Sequence, residues 1–289
     1  MHLLEKIKDL QKICKIVSKL KSQLIEELPH YARDSLFLKN DEITTGLLNN
    51  ISEIKINLVT GELLYYHNEQ GDLVDLTRDH IFERLEDIVT NYQLKMPRTS
   101  HLTSLNIEDL SEYLAFATKA NESLELFRMK LSGQFTQVHL WPDGFDFSIE
   151  WFTKKNDDQI GVGISPGDNK YELPYLYVNP YPFNEKMINE TLFTGRWHTV
   201  GWKGIKVEWK DFQNKLEQQI SGEIYDLFLI AQRNFQQEIL SLCESMRRYK
   251  IQVTALVTNR TPIGYTVKFR GCLHFHHFLN LTLIFITTN

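Results

Sequence analysis

Between Phe135 and Trp209 the chain gathers side chains able to do chemistry: His139, Asp143, Asp146, Asp168 and His198, interleaved with all five of its tryptophans. Imidazoles and carboxylates are the ligand types of a hydrolytic zinc or iron site, and two histidines with one carboxylate form a familiar catalytic set. His139, Asp146 and His198 are therefore the candidate metal ligands and, with or without a metal, the candidate catalytic residues. Their spacing matches no established metal motif, such as two histidines one helical turn apart. The competing structural reading has these histidines and aspartates bonding to turn backbones and holding strands in register. A second set, Trp141, Asp143, Asp168, Tyr175, Tyr177, Trp197 and Trp202, combines aromatic faces with polar tips and acids. Such a set lines a site for a sugar, an aromatic ring or an amine, although large aromatics also build cores. Near the end, His274-Phe275-His276-His277 puts His274 and His276 on one face of an extended segment, a further candidate metal pair.

Serine hydrolase, nucleotide-dependent kinase and nicotinamide oxidoreductase chemistries are disfavoured. The chain has no nucleophile elbow and no phosphate-binding glycine loop, and Gly161-Val162-Gly163 runs into a proline turn rather than a helix, so it opens no dinucleotide site. No recognised motif indicates a cofactor. A net charge of −5 offers no electrostatic footprint for nucleic acid. No apolar run approaches the roughly 20 residues that span a bilayer, and the charged, periodic N-terminus does not read as a signal peptide. Cys14, Cys243 and Cys272 are too far apart for a zinc motif or a disulfide framework, which fits a reducing cytoplasm. The sequence sets no oligomeric state.

The elements that must position the candidates are short strands. From Phe145 to Trp151 apolar residues alternate with polar ones, which predicts Phe145, Phe147, Ile149 and Trp151 toward the core and Asp146, Ser148 and Glu150 on the opposite face. Ile160, Val162 and Ile164 alternate with Gly161 and Gly163, two glycines on one face where something approaches the backbone closely. Ser165-Pro166-Gly167-Asp168 predicts a type II turn. The strand near Tyr175 to Val178 is expected to end at Asn179-Pro180-Tyr181-Pro182, since prolines cannot donate to a ladder. A final strand is expected to carry Trp202, Ile205, Val207 and Trp209.

Four segments in this order, His139-Leu140-Trp141-Pro142-Asp143-Gly144-Phe145-Asp146, Ser165 to Asp168, Pro174 to Pro182, and Trp197-His198-Thr199-Val200-Gly201-Trp202-Lys203-Gly204, resemble the successive signatures of a bacterial family catalogued as domain of unknown function 5996. The resemblance extends weakly upstream through Pro29-His30-Tyr31 and downstream to about Leu242. It implies no activity. Where the family commonly shows a second histidine this chain has Asp143-Gly144, so a site built on that histidine would be absent or altered here.

Helices frame these strands. Leu3, Ile7, Leu10, Cys14, Val17, Leu20, Leu24 and Leu28 predict one helix ended by Pro29, with Lys6, Lys8, Lys12, Lys15, Lys19 and Lys21 on its solvated face. A strand meander follows from Ser35 to Leu76, with connections at Thr60-Gly61-Glu62 and Gln70-Gly71-Asp72, and then a helix over Ile81 to Tyr92. Asn106 caps a second long helix carrying Leu110, Tyr113, Ala117, Leu124 and Phe127. Asp211 is positioned to cap a third, whose stripe runs from Leu216 to Leu242. The last stretch alternates like strands over Val253 to Val257, Tyr265 to Phe269 and Leu281 to Ile286.

The expectation is an α+β fold with antiparallel sheet regions flanked by long helices, in two similarly ordered halves. Residues 1-97 form the first half, 98-248 the tryptophan-rich half, and 249-289 a tail. The expected role is binding a small polar or aromatic ligand in the tryptophan-rich cleft. The alternatives are a metal-assisted hydrolase using His139, Asp146 and His198, and a protein–protein adaptor marked by an exposed aromatic patch.

Overall fold

The computed structural model describes residues 3–99, 101–153, 158–248, 254–261, 264–272 and 278–286. Its contacts divide it into two compact units, Met1–Gln232 and Arg233–Asn289. The first opens with α1 (Leu3–Lys6) and α2 (Lys8–Leu24), followed by strands β1 (Phe37–Lys39), β2 (Glu42–Thr44), β3 (Ser52–Asn57), β4 (Glu62–His67) and β5 (Gln70–Asp75). These pair in chain order as a five-stranded antiparallel meander. Then come α3 (Ile81–Asn91) and α4 (Ile107–Arg128). The second sheet holds β6 (Gln134–Phe135), β7 (His139–Trp141), β8 (Asp146–Phe152), β9 (Gln159–Ser165), β10 (Tyr175–Tyr181), β11 (Arg196–His198) and β12 (Gly204–Glu208). Its order is β11-β12-β10-β9-β8, with β6 and β7 both pairing with β8, and every pairing is antiparallel. The short α5 (Trp209–Phe212) leads to α6 (Glu217–Arg248), which begins in the first unit. The fold is α+β, and helix, strands, helix occurs twice in chain order.

The second unit contains a separate three-stranded antiparallel sheet, β13 (Thr254–Thr261), β14 (Gly264–Cys272) and β15 (Phe278–Ile286), in the order β13-β14-β15. Its strands fall where the alternating apolar residues place them. His274, His276 and His277 lie outside the described residues.

One face of the seven-stranded sheet is apolar. Phe147, Ile149, Ile160, Val162, Ile164, Leu176, Val178, Ile205 and Val207 are buried, each contributing about 1.5–3 kcal/mol when fully removed from water. Two helices cover it: Tyr113 of α4 stacks on Phe145 with ring centroids 5.0 Å apart, and Phe228 of α6 meets both Trp151 and Phe127 at 5.5 Å. Asn106 caps α4 as predicted, its Oδ1 accepting from the Glu108 N–H at 2.7 Å. That apolar face supplies the stability of the sheet and leaves the other face free for polar work.

Several local expectations change. Lys21 does not lie on a solvated helix face: it is 2% exposed, and its Nζ donates to the carbonyls of Ser35 at 2.6 Å and Ala32 at 3.0 Å. The connection between β4 and β5 is Asn68-Glu69, both at positive φ (48° and 66°), as in a type I′ turn, and Gln70-Gly71-Asp72 belongs to the strand. Strand β10 continues through Pro180, which pairs with Ile160. The continuation is possible because the β12 ladder reaches only Val178, so Pro180 borders no second strand and its missing N–H leaves no ladder acceptor idle. Trp202 precedes β12 and Trp209 opens α5, so neither is a strand residue. Helix α6 begins at Glu217, not at Asp211, and Leu216 is exposed.

Candidate functional site: an acidic, aromatic cavity on the sheet

Antiparallel register decides which side chains share the polar face. Glu150 stands opposite Gly161, Ser148 opposite Gly163 and Phe152 opposite Gln159. Across the next ladder Gly161 faces Asn179, Gly163 faces Tyr177, Ser165 faces Tyr175 and Gln159 faces Tyr181. Directly opposed residues point the same way, so Glu150, Ser148, Tyr175, Tyr177 and Asn179 rise together from the sheet. Glu150, Tyr175, Tyr177 and Asn179 line an open cavity of about 400 Å³, together with Gly144, Asp146, Gln159, Gly161, Ser165, Asp168, Tyr181 and Trp202.

The two glycines of β9 make this possible. A Cβ on Gly163 would overlap Cζ and the hydroxyl oxygen of Tyr177 and sit 2.6 Å from the Phe147 carbonyl oxygen, while one on Gly161 would sit 3.0 Å and 3.1 Å from the Glu150 carboxylate oxygens. The close approach expected at these glycines is made by the protein's own phenol and carboxylate, which lie flat across the strand. Alternation along β8 is thus one of facing rather than of exposure. Phe147 and Ile149 are fully buried on one side, and Asp146 and Glu150 are half-buried on the other, but Ser148 is covered as well because the Trp141 indole N–H donates to its Oγ at 2.8 Å.

The acids of the cavity differ in how their oxygens are used. Asp168 closes the turn after Ser165, where Gly167 takes the expected positive φ of 113°. Its Oδ1 accepts from the Lys170 and Tyr171 N–H groups at 2.6 Å and 2.9 Å, and its Oδ2 from the Tyr175 hydroxyl at 2.8 Å. Asp146 accepts a hydrogen bond from the Tyr177 hydroxyl. Burial raises the Asp146 carboxyl above the usual carboxylate range, with the Tyr177 bond pulling it back. Burial first, and then the Asp146 charge, hold the Tyr177 phenol well above its ordinary value. Glu150 Oε2 is buried without a hydrogen-bond partner among the described residues. Burial, with Asp146 adding like charge, pushes the Glu150 carboxyl up to about 7.

The two histidines lie on the flanks of this face, not in one site. His139 on β7 stands opposite Ser148, and His198 on β11 stands opposite Gly204. Four strands (β8, β9, β10 and β12) separate them, a span of about 24 Å at the usual strand spacing. The expectation that His139, Asp146 and His198 converge is therefore wrong, because the ladder order interposes most of the sheet. His139 Nδ1 is 2.6 Å from the Ser35 hydroxyl, and burial with the Lys21 charge lowers its pKa to about 4. Ser35 is itself fully buried and its one hydroxyl proton goes to the Ala32 carbonyl at 2.9 Å, which leaves its oxygen to accept from His139, so the pair is structural rather than nucleophilic. His198 Nε2 meets the Tyr171 hydroxyl at 2.5 Å, its Nδ1 lies 2.7 Å from the Trp202 carbonyl oxygen, and its ring stacks on Trp202 at 4.0 Å. It props the indole that walls the cavity. Among the described residues no group of three or more His, Cys, Asp or Glu is arranged to hold a metal ion.

Of the candidate ligand-binding residues, Asp168, Tyr175, Tyr177 and Trp202 line the cavity. Three others do not. Trp141 covers Ser148, and the Asp143 side chain is fully exposed and 3.5 Å from Lys15 Nζ. The Trp197 indole N–H donates to the Glu190 carbonyl at 2.9 Å, and its ring rests beside Phe183. Sequence reasoning placed Glu150 on the polar face without making it a site residue, and it passed over Gln159 and Asn179. Alternation read across three paired strands, with glycine opposite Glu150, was the signal that could have found them. Comparison with protein-family models, curated proteins and solved structures finds no match for the chain.

Proposed function

We propose that this protein binds a small polar or aromatic ligand in the cavity on the polar face of the seven-stranded sheet. The observation that carries this reading is the concentration there of tyrosine and tryptophan faces with carboxyl and amide groups, around a volume of about 400 Å³. That volume falls in the range of small-molecule sites, about 300–1,000 Å³, and the mixture of apolar walls with a few convergent polar groups is their usual lining. Three of the four aromatic walls are fixed from behind: Tyr177 by Asp146, Tyr175 by Asp168, and Trp202 by stacking on His198. A wall held in place before the ligand arrives costs less ordering on binding.

A broad panel of sugars, amino acids, amines and aromatic acids, screened by thermal shift on the full chain, tests the reading. At least one class should raise the melting temperature of the wild type, and Trp202→Ala should lose that response while remaining folded. A panel without a response, or a response unchanged in Trp202→Ala, would contradict it. The metal-assisted reading has no support in the geometry, since the two histidines serve Ser35 on one flank and Trp202 on the other.

A further inference from the structure

We propose that the cavity selects a small organic cation bearing a primary or secondary ammonium group, held by the Glu150 carboxylate against the faces of Tyr177 and Trp202. This inference rests on the ligand-binding reading above and narrows it to one chemical class. The charge of the lining comes first: Asp146, Glu150 and Asp168 contribute three carboxyl groups, and no Lys, Arg or His lines the cavity among the described residues. Acids alone do not make a site, and two of these are already engaged by tyrosine hydroxyls and turn backbone. Glu150 is different, because its buried Oε2 has no partner among the described residues. A buried carboxylate oxygen left unpaired is costly, and a cation held in the cavity against the same carboxylate group would offset that cost.

The neutral and quaternary alternatives fit less well. A hydroxyl can donate to Glu150, but a charge-assisted bond from an ammonium is roughly twice as strong. A quaternary ammonium would gain the aromatic faces but bring no N–H donor to the Glu150 carboxylate. An anion would meet three carboxyl groups. The walls suit a cation for a second reason, since Tyr175, Tyr177, Tyr181 and Trp202 present π faces that attract positive charge. The protein already uses this chemistry on the same face. Lys206, opposite Tyr177 in the ladder and 2% exposed, holds its Nζ 3.6 Å from the centroid of Tyr171 and 5.2 Å from that of Tyr175. Its Nζ lies 3.2 Å and 3.3 Å from the oxygens of Glu208, which Arg196 also meets at 2.7 Å, and neither cation is bonded to Glu150. Gln159 and Asn179 complete the lining and offer amides to a polar group at the other end of the ligand.

Two isosteric pairs test the proposal by isothermal titration calorimetry of the full chain at about pH 8: tyramine against 4-hydroxyphenethyl alcohol, and trans-4-aminocyclohexanol against trans-1,4-cyclohexanediol. The amine of at least one pair should bind about tenfold more tightly than its alcohol, and Glu150→Gln should abolish that preference. A measurement on the wild type alone guards against a variant that fails to fold. The amine preference should fall by about tenfold from pH 8 to about pH 5.5 as Glu150 takes up its proton, with Asp146 on its own strand and Tyr175, Tyr177, Tyr181 and Asp168 as the other titratable groups around it. Alcohols that bind as tightly as their amines would overturn the proposal while leaving the ligand-binding cavity intact, as would a preference that survives both Glu150→Gln and the acid shift. Failure of all four compounds to bind overturns it too, and the broad panel then decides the cavity reading separately.

Discussion

Glu150 sits where burial and the Asp146 charge move its carboxyl from about 4.5 up to about 7. Because the folded value exceeds the unfolded one, the native state holds the proton more tightly. The associated stability is present below about pH 4.5 and is lost as pH rises through about 7. Between about pH 5 and pH 8 the wild type should therefore lose up to about 3 kcal/mol more stability than Glu150→Gln, measured by chemical denaturation at the two pH values. A difference between the two proteins that does not vary with pH would contradict the assignment. His139 makes the opposite kind of prediction. Its bond to Ser35 lies on the flank of the sheet, so His139→Ala should cost about 2 kcal/mol of stability and leave cavity binding unchanged. A loss of ligand affinity in that variant would show that the cavity reaches further toward β7 than the geometry places it. At this scale the sequence revealed residue types well and partners poorly. The aromatic–acidic composition of the site was legible, but whether a histidine meets Asp146 or Ser35 depends on strand order, which no local spacing encodes.

The strand β9 is the element on which the cavity depends. Gly163→Ala would drive a methyl group into the Tyr177 ring and against the Phe147 carbonyl, so it should destabilise the protein by about 2–4 kcal/mol and release Tyr177 from Asp146. Gly222→Ala in α6 is the control, because nothing lies within 4 Å of the added methyl. There the gain in helix propensity should stabilise by about 0.5–1 kcal/mol. Denaturant midpoints for the two variants should shift in opposite directions, and a neutral Gly163→Ala would mean that Tyr177 does not lie across the strand. The elements themselves were largely legible: alternation found β8, β9 and β10, helical periodicity found α2, α3 and α4, and Asn106 marked its cap. What misled were residues whose tertiary setting overrides local preference. Pro180 is tolerated because the neighbouring ladder stops at Val178, and Lys21 is buried because two carbonyls receive its ammonium.

At the scale of the molecule, the first unit carries its own apolar core between the seven-stranded sheet and helices α4 and α6, and the unit boundary falls within α6 at Gln232 and Arg233. Removing the residues after Lys250 should leave a cooperatively folding protein with a wild-type melting temperature. A loss on the scale of whole-domain stability, about 5–15 kcal/mol, would show that the last three strands support the first unit. Among the described residues no helix is long and apolar enough to cross a membrane. The α+β class and the repeated order of helix, strands and helix could be read from pattern alone, whereas the cavity could not, because it exists only where three strands are laid side by side. The tryptophans report directly on whether a ligand occupies the cavity. In an NMR titration with whichever panel compound raises the melting temperature, the indole N–H signal of Trp202 should shift. Those of Trp141, Trp151 and Trp197, bonded to Ser148, Ser132 and Glu190 away from the cavity, should stay in place. A titration that moves any of those three and leaves Trp202 unperturbed would place the ligand outside the cavity and contradict binding on the polar face of the sheet.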